Sequence, residues 1–268
     1  MTAASSSRRL ARLLSALALI ALAACSSTPR EDDAKKSAEK LYAEAKDDMA
    51  TGAWDQAIKT LERVEGRAAG TLLAQQAQLD IGYAQWKTNE KAKALSTLDR
   101  FVKVHPSSPG VDYALYLRGL INFNDNLGLL GFLAGQSLTD RDQQASRDAY
   151  QSFRQLVEQF PDSRYADDAR VRMDYIVNSL AEYEVHVARY YLRRGALLAA
   201  ANRAQQAVQA YPQAPAGEEA LFIMVEAYDR LGLTQLRDDA RRVLTTNFPN
   251  SRFVQPELAQ AKPWWKLW

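Results

Sequence analysis

The side chains able to do covalent or metal chemistry are few and scattered. There is one cysteine, Cys25, and there are two histidines, His105 and His186. His105 stands directly before Pro106 and His186 lies alone in a long helical run, so the pair has no ligand spacing and no second cysteine to join it. Asp167-Asp168 and Asp238-Asp239 are adjacent in sequence, which on a helix turns the two members to different sides and leaves them as solvated charges. No glycine-rich loop follows a strand, and no Gly-x-Ser-x-Gly elbow occurs. The expectation is a protein that is not an enzyme and needs no cofactor or metal. Its chemistry is one thiol and a set of aromatic and guanidinium groups suited to recognition.

The thiol has a telling position. Arg8, Arg9 and Arg12 precede a run, LLSALALIALAA over 13–24, that is almost wholly apolar and ends at Cys25. A basic start, a short apolar stretch and small residues before a cut describe a secretory signal peptide. The stretch is shorter than the ~20 apolar residues that span a bilayer. Leu22-Ala23-Ala24-Cys25 resembles the bacterial lipobox, which implies lipidation (palmitate-type acylation) of Cys25 after removal of 1–24. The alternative is an ordinary signal peptide with a chance cysteine. Ser26 follows instead of Asp, which by resemblance to the bacterial sorting rule sends the chain to the outer membrane. The whole chain carries 34 Lys+Arg against 32 Asp+Glu. Without the three arginines of 1–24 the balance is 31 against 32, or −1, so nothing global points to nucleic acid. Residues 25–36 (CSSTPREDDAKK) read as a lipidated tether.

The elements that must position the recognition groups are helices. Leu41, Ala45 and Met49, then Ala57, Leu61 and Val64, then Leu95, Leu98, Phe101 and Val102 follow a helical period. They also repeat. Counting back from Pro106 gives Phe101, Leu98 and Ala94, with Gly82 a further 12 upstream; Pro161 gives Leu156, Phe153 and Ala149; Pro212 gives Ala207, Ala204 and Ala200. Gly52, Gly195 and Gly232 fall at turns between paired helices. This spacing is that of the tetratricopeptide hairpin: small residues let two helices approach, and the proline ends the second. The predicted fold is all-α, a superhelical array of about five such hairpins. Its divisions are N-terminal repeats 37–180 with an inserted loop 124–142, C-terminal repeats 181–252, and a Trp-rich tail 253–268. Gly119 and Ala149 stand 30 apart where Gly82 and Ala94 stand 12 apart, so the third hairpin carries the insertion, either a spacer or a binding loop. Tyr165–Arg193 lacks glycine and proline and is predicted to be one long helix joining the third and fourth repeats.

Three segments carry a specific resemblance: VDYALYLRGLINF (111–123), LTDRDQQASRDAYQSF (138–153) with FPDSRYADDA (160–169), and EYEVHVARYYLRRGALLAAANR (182–203). Together with the lipobox they are similar to the BamD family of tetratricopeptide lipoproteins, over about residues 37–250. The resemblance implies a subunit of the outer-membrane β-barrel assembly (BAM) machinery, lipid-anchored and facing the periplasm. It would dock on the POTRA domains of the barrel subunit, join accessory lipoproteins, and receive the aromatic-ended sorting signal of unfolded barrel proteins. By position, the groove candidates are Asp80, Tyr83, Trp86, Tyr113, Tyr116 and Arg118, and the partner-docking candidates are Tyr190, Tyr191, Arg194 and Arg203. The aromatic members sit at helical spacing, so each either faces a ligand or fills space between hairpins. Lys262-Pro-Trp-Trp-Lys-Leu-Trp268 has no place on the family pattern; it is either a partner or headgroup contact or an unstructured tail. The competing function is a different tetratricopeptide envelope adaptor, in pilus biogenesis or cell-wall synthesis.

Overall fold

The computed structural model describes residues 36–123 and 143–254. Cys25 with its signal, the inserted loop 124–142 and the tail from 255 lie outside the described residues. Within them every regular element is a helix, ten in all: α1 Ala38–Ala50, α2 Trp54–Arg67, α3 Leu72–Lys87, α4 Lys91–Val104, α5 Val111–Asn122, α6 Gln143–Gln159, α7 Ala166–Arg193, α8 Leu197–Ala210, α9 Gly217–Arg230 and α10 Thr234–Asn247. They pair as five hairpins, and each helix packs chiefly on its neighbours in sequence, so the array is a solenoid. None of these helices is long and apolar enough to cross a membrane.

Two turns recur and set the geometry. Within hairpins the first helix ends on a residue in the left-handed region: Gly52 (φ 80), Gly195 (φ 77) and Gly232 (φ 72). The following residue then donates back across the turn, as Ala53 N does to Asp48 O at 2.8 Å and Leu233 N to Tyr228 O at 2.9 Å. This is the Schellman closure, in which glycine avoids the Cβ clash. The second hairpin uses Asn89 at φ 65 instead, a side chain that tolerates this region.

From the second hairpin on, each hairpin is followed by an aromatic-Pro-x-Ser/Ala step: HPSS at 105–108, FPDS at 160–163, YPQA at 211–214 and FPNS at 248–251. In each, the fourth residue donates to the carbonyl of the first at 3.0 Å. Proline removes the donor that would extend the helix, and the serine hydroxyl holds the next turn: Ser163 Oγ accepts from Tyr165 N at 3.2 Å.

The small residues do what their spacing implies. Ala94, Ala149, Ala188 and Ala200 are fully buried, and a Cβ built on Gly119 would lie 2.3 Å from the Phe153 ring. The bulky partners Leu98, Phe101, Phe153 and Leu156 fill one continuous core from α3 into α7, each worth about 1.5–3 kcal/mol of burial. The C-terminal cores are built largely of alanine, with Ala188, Ala200, Ala204, Ala207 and Ala220 around Val185 and Ile223. Helix α7 belongs to both regions: Ala169, Ile176 and Leu180 complete the first core, and Val185 and Ala188 the later one. It runs unbroken through 180–181, where the sequence divides N- from C-terminal repeats.

Candidate functional site

First helices of successive hairpins touch one another, and their side chains meet across long sequence distances. Asp80 on α3 is 5% exposed. Its Oδ2 accepts from the Tyr42 hydroxyl at 2.7 Å and from Lys46 Nζ at 3.4 Å, and its Oδ1 from Gln76 Nε2 at 3.5 Å. A carboxylate this buried is stable only with such donors. Burial, then the bond and charge of Asp80, hold the Tyr42 hydroxyl well above the ordinary tyrosine range.

Beside Asp80 opens a cleft of about 720 Å³, walled by Asp80, Tyr113, Arg164 and Tyr165 and floored by Leu79 and Gly110. The floor is tight, because a Cβ on Gly110 would stand 2.7 Å from Leu79 Cδ1. Tyr165 lies 5.6 Å from Tyr113 and stacks on Tyr116 at 4.7 Å and 17°. The Arg164 guanidinium covers the outer face of the Tyr165 ring at 4.7 Å and donates to its hydroxyl. Burial, then the Asp80 charge, pushes Tyr113 far up, so its hydroxyl is a neutral donor at any physiological pH. At the far end Tyr116 donates to Asp168 Oδ2 at 2.7 Å, which also accepts from Arg172 Nε at 2.6 Å. Burial and Asp168 push Tyr116 up to about 12. Burial alone would raise the Asp168 carboxyl, but the bonds from Arg172 and Tyr116 outweigh it and hold the group below its ordinary value. The cleft therefore carries three acids, Asp80, Asp112 and Asp162, with the Arg164 guanidinium and aromatic faces beside them. That arrangement suits an extended peptide with a carboxylate and an aromatic side chain.

The six groove candidates do not all gather here. Asp80 and Tyr113 line the cleft and Tyr116 flanks it. Tyr83 and Trp86 belong to a neighbouring aromatic group: Tyr83 meets Trp54 edge-on at 5.9 Å and Trp86 at 6.0 Å. The Lys87 ammonium lies 5.8–5.9 Å from all three rings. Arg118 faces elsewhere and is fully engaged, reaching Asp99 at 2.8 Å, Ser152 at 3.0 Å and Gln155 at 3.1 Å. It binds α4, α5 and α6 together and is not among the residues that line the cleft. Asp168 is corrected: expected as a solvated charge, it is held by two donors.

Among the docking candidates, Tyr190 is 47% exposed and carries the Arg194 guanidinium 5.7 Å above its ring. Tyr191 meets Tyr190 edge-on at 5.9 Å but packs inward on the core. Arg203 Nη1 donates to Glu184 Oε2 at 2.9 Å, and the Glu184 side chain is 3% exposed. Tyr42, Tyr165, Arg164 and Glu184 were not singled out from the sequence. Tyr42 and Lys46 stand one helical turn apart on a first helix, so scanning those helices at that spacing finds them. Among the described residues no group of three or more His, Cys, Asp or Glu side chains could hold a metal ion.

Comparison with known proteins adds a lineage to this geometry. The model of a family described as outer membrane lipoprotein, YfiO, matches residues 34–244. A Neisseria meningitidis protein named outer membrane protein assembly factor BamD is 47% identical over 255 residues, covering 93% of this chain and 96% of its own. The Vibrio cholerae protein of the same name is 36% identical over 232 residues, covering 86% and 95%.

Proposed function

The chain belongs to the BamD family of outer membrane lipoproteins, and on that premise we propose that it is a non-enzymatic scaffold of outer-membrane β-barrel assembly. It is anchored through acylated Cys25 with its body in the periplasm. The C-terminal repeats dock on POTRA domains of the barrel subunit, and accessory lipoproteins join the same array. The N-terminal cleft receives the aromatic-ended C-terminal signal of unfolded barrel proteins.

The observation that carries the groove reading is the pairing of Arg164 with Tyr113 and Tyr165 across one cleft. A terminal carboxylate meets a guanidinium with no carboxylate partner among the described residues, while the last aromatic ring lies against tyrosine faces. Docking is supported by Tyr190 and Arg194, a stacked and exposed pair of the residue types that anchor interfaces. The remaining aromatics act by filling space and keeping that geometry rigid.

The test has two arms. Tagged chain is recovered from envelopes in mild detergent, and its binding to a peptide ending in a barrel protein's last strand is measured. Arg164→Glu is expected to weaken the peptide by roughly tenfold or more and leave recovery of the POTRA-bearing barrel unchanged. Arg194→Glu is expected to do the reverse. Recovery of pilus or cell-wall proteins in place of the barrel subunit sinks the assembly role.

A further inference from the structure

The chain contains a second cleft built on the same register as the first. It lies between α7 and α9, with a volume of about 440 Å³. Leu79 and Asp80 of the first cleft correspond to Val185 and His186 of the second, and Asp112 and Tyr113 to Glu218 and Glu219; 185 − 79 and 218 − 112 are both 106. The third wall repeats as well. Arg252 lies 4.7 Å over the Phe253 ring as Arg164 lies 4.7 Å over Tyr165. Phe253 stacks on Phe222 of α9 at 4.5 Å and 18°, as Tyr165 stacks on Tyr116 of α5 at 4.7 Å and 17°. Ser251 Oγ accepts from Phe253 N at 3.1 Å, the counterpart of Ser163 and Tyr165.

Both clefts are lined by three acids, but they are placed differently. Gln76 is replaced in register by Glu182 and Tyr113 by Glu219. Glu219 is taken by Arg189, which grips both its oxygens at 2.5 and 2.7 Å. Glu182 and Glu218 line the cleft and form no ion pair among the described residues. The site is therefore an aromatic-edged cleft in which Glu182, Glu218 and Glu219 outnumber Arg189 and Arg252 by one charge.

The described chain ends on the wall of this cleft, at Phe253 and Val254. The segment beyond it, residues 255–268 (QPELAQAKPWWKLW), holds Trp264, Trp265 and Trp268 with Lys262 and Lys266 against one acid, Glu257. At roughly 3.3 Å per residue the segment can reach about 45 Å, far enough to turn back on itself. Tethered so close, it faces the cleft at an effective concentration of order millimolar, ahead of any free ligand.

The geometry points to the α7–α9 cleft as the seat of the chain's own C-terminal segment, a lysine set against Glu182 and Glu218 and a tryptophan against Phe222 and Phe253. The segment fills the second cleft from within, whereas the first is left open to partners. This holds whether or not the assembly role does.

The full-length lipidated chain in detergent, with Trp265→p-benzoylphenylalanine, is irradiated and its cross-links mapped. Links within one molecule to 182–189 or 215–222 are expected, independent of protein concentration. They should fall by roughly fivefold or more when Glu182→Lys and Glu218→Lys remove the attraction; both sites are solvent-accessible, so the fold survives and a melting curve verifies it. Links to a second copy, to another face of the chain, or only to lipid when the chain is moved into phosphatidylethanolamine/phosphatidylglycerol vesicles would overturn the proposal. So would links that the double charge reversal leaves unchanged.

Discussion

Three glycines in helices give the hairpin packing a graded test. A Cβ on Gly119 would stand 2.3, 2.6 and 2.7 Å from three carbons of the Phe153 ring, where optimal carbon contacts are about 3.5–4.0 Å. The ring cannot swing away. It is fully buried and wedged between Tyr116 at 6.1 Å and Phe123 at 6.2 Å. Gly119→Ala must therefore separate α5 from α6, an overpacking cost of about 1–3 kcal/mol or more, offset only by the roughly 0.5–1 kcal/mol that alanine gains in a helix. Gly82→Ala meets Leu98 Cδ2 at 3.1 Å and Cγ at 3.2 Å, a milder crowding, and should come out near neutral. Gly66→Ala meets nothing within 4 Å and should stabilise by about 0.5–1 kcal/mol. Urea unfolding of the chain beginning at Ser26, followed by far-ultraviolet circular dichroism, reads all three. Phe153→Leu combined with Gly119→Ala should cost less than the two changes summed, because the smaller side chain makes room for the methyl. A Gly119→Ala variant as stable as the parent, or strict additivity with Phe153→Leu, refutes the close-approach argument.

Arg203→Gln strands the buried Glu184 carboxylate and should cost about 1–3 kcal/mol in urea unfolding, whereas Glu184→Gln keeps a hydrogen bond to Arg203 and should cost less than about 1 kcal/mol; equal losses would show that the pair is not acting through burial. The Asp168 carboxyl sits below its ordinary value in the folded chain, so its contribution is complete above the ordinary carboxylate range and is lost as pH falls through the lowered value. Asp168→Asn should accordingly flatten the acid limb of stability against pH, and an unchanged limb would count against it. Tyr116, pushed up to about 12, loses its contribution as pH rises from about 10 toward that value. Tyrosinate absorbance of Tyr116→Phe should lack one late-titrating group. Arg118→Ala should lower stability by removing the tie between α4, α5 and α6, with no effect on peptide binding; a peptide defect in a variant of normal stability would return Arg118 to the groove.

The hairpins were legible because their determinants are local. Prolines at 106, 161 and 212 with small residues at fixed offsets mark helix ends and close approaches without any knowledge of the third dimension. Asn89 shows the limit of that reading: it takes a glycine's place at the second turn, and only its φ reveals it. The site was less legible, since its contacts join residues far apart in the chain. Asp168 reads as a solvated charge until Tyr116, 52 positions away, is brought beside it. Arg118 reads as a free guanidinium until Asp99, Ser152 and Gln155 converge on it from two other helices. Tyr113 and Asp80 were found by position on first helices, the one aspect of a solenoid groove that sequence spacing carries.

Helix α7, 28 residues long and so about 42 Å from end to end, has a bearing on the order in which the chain acquires its shape. The large core around Phe101 and Phe153 is not complete until Ala169, Ile176 and Leu180 arrive from that helix. A chain delivered across a membrane with its N-terminus leading would close its first hairpin core early, yet hold the next two unfinished until residues near 180 had emerged. The same helix then presents Val185 and Ala188 as a ready template for the alanine-rich repeats on its C-terminal side, so the order would run from the N-terminus with a pause until α7 is complete.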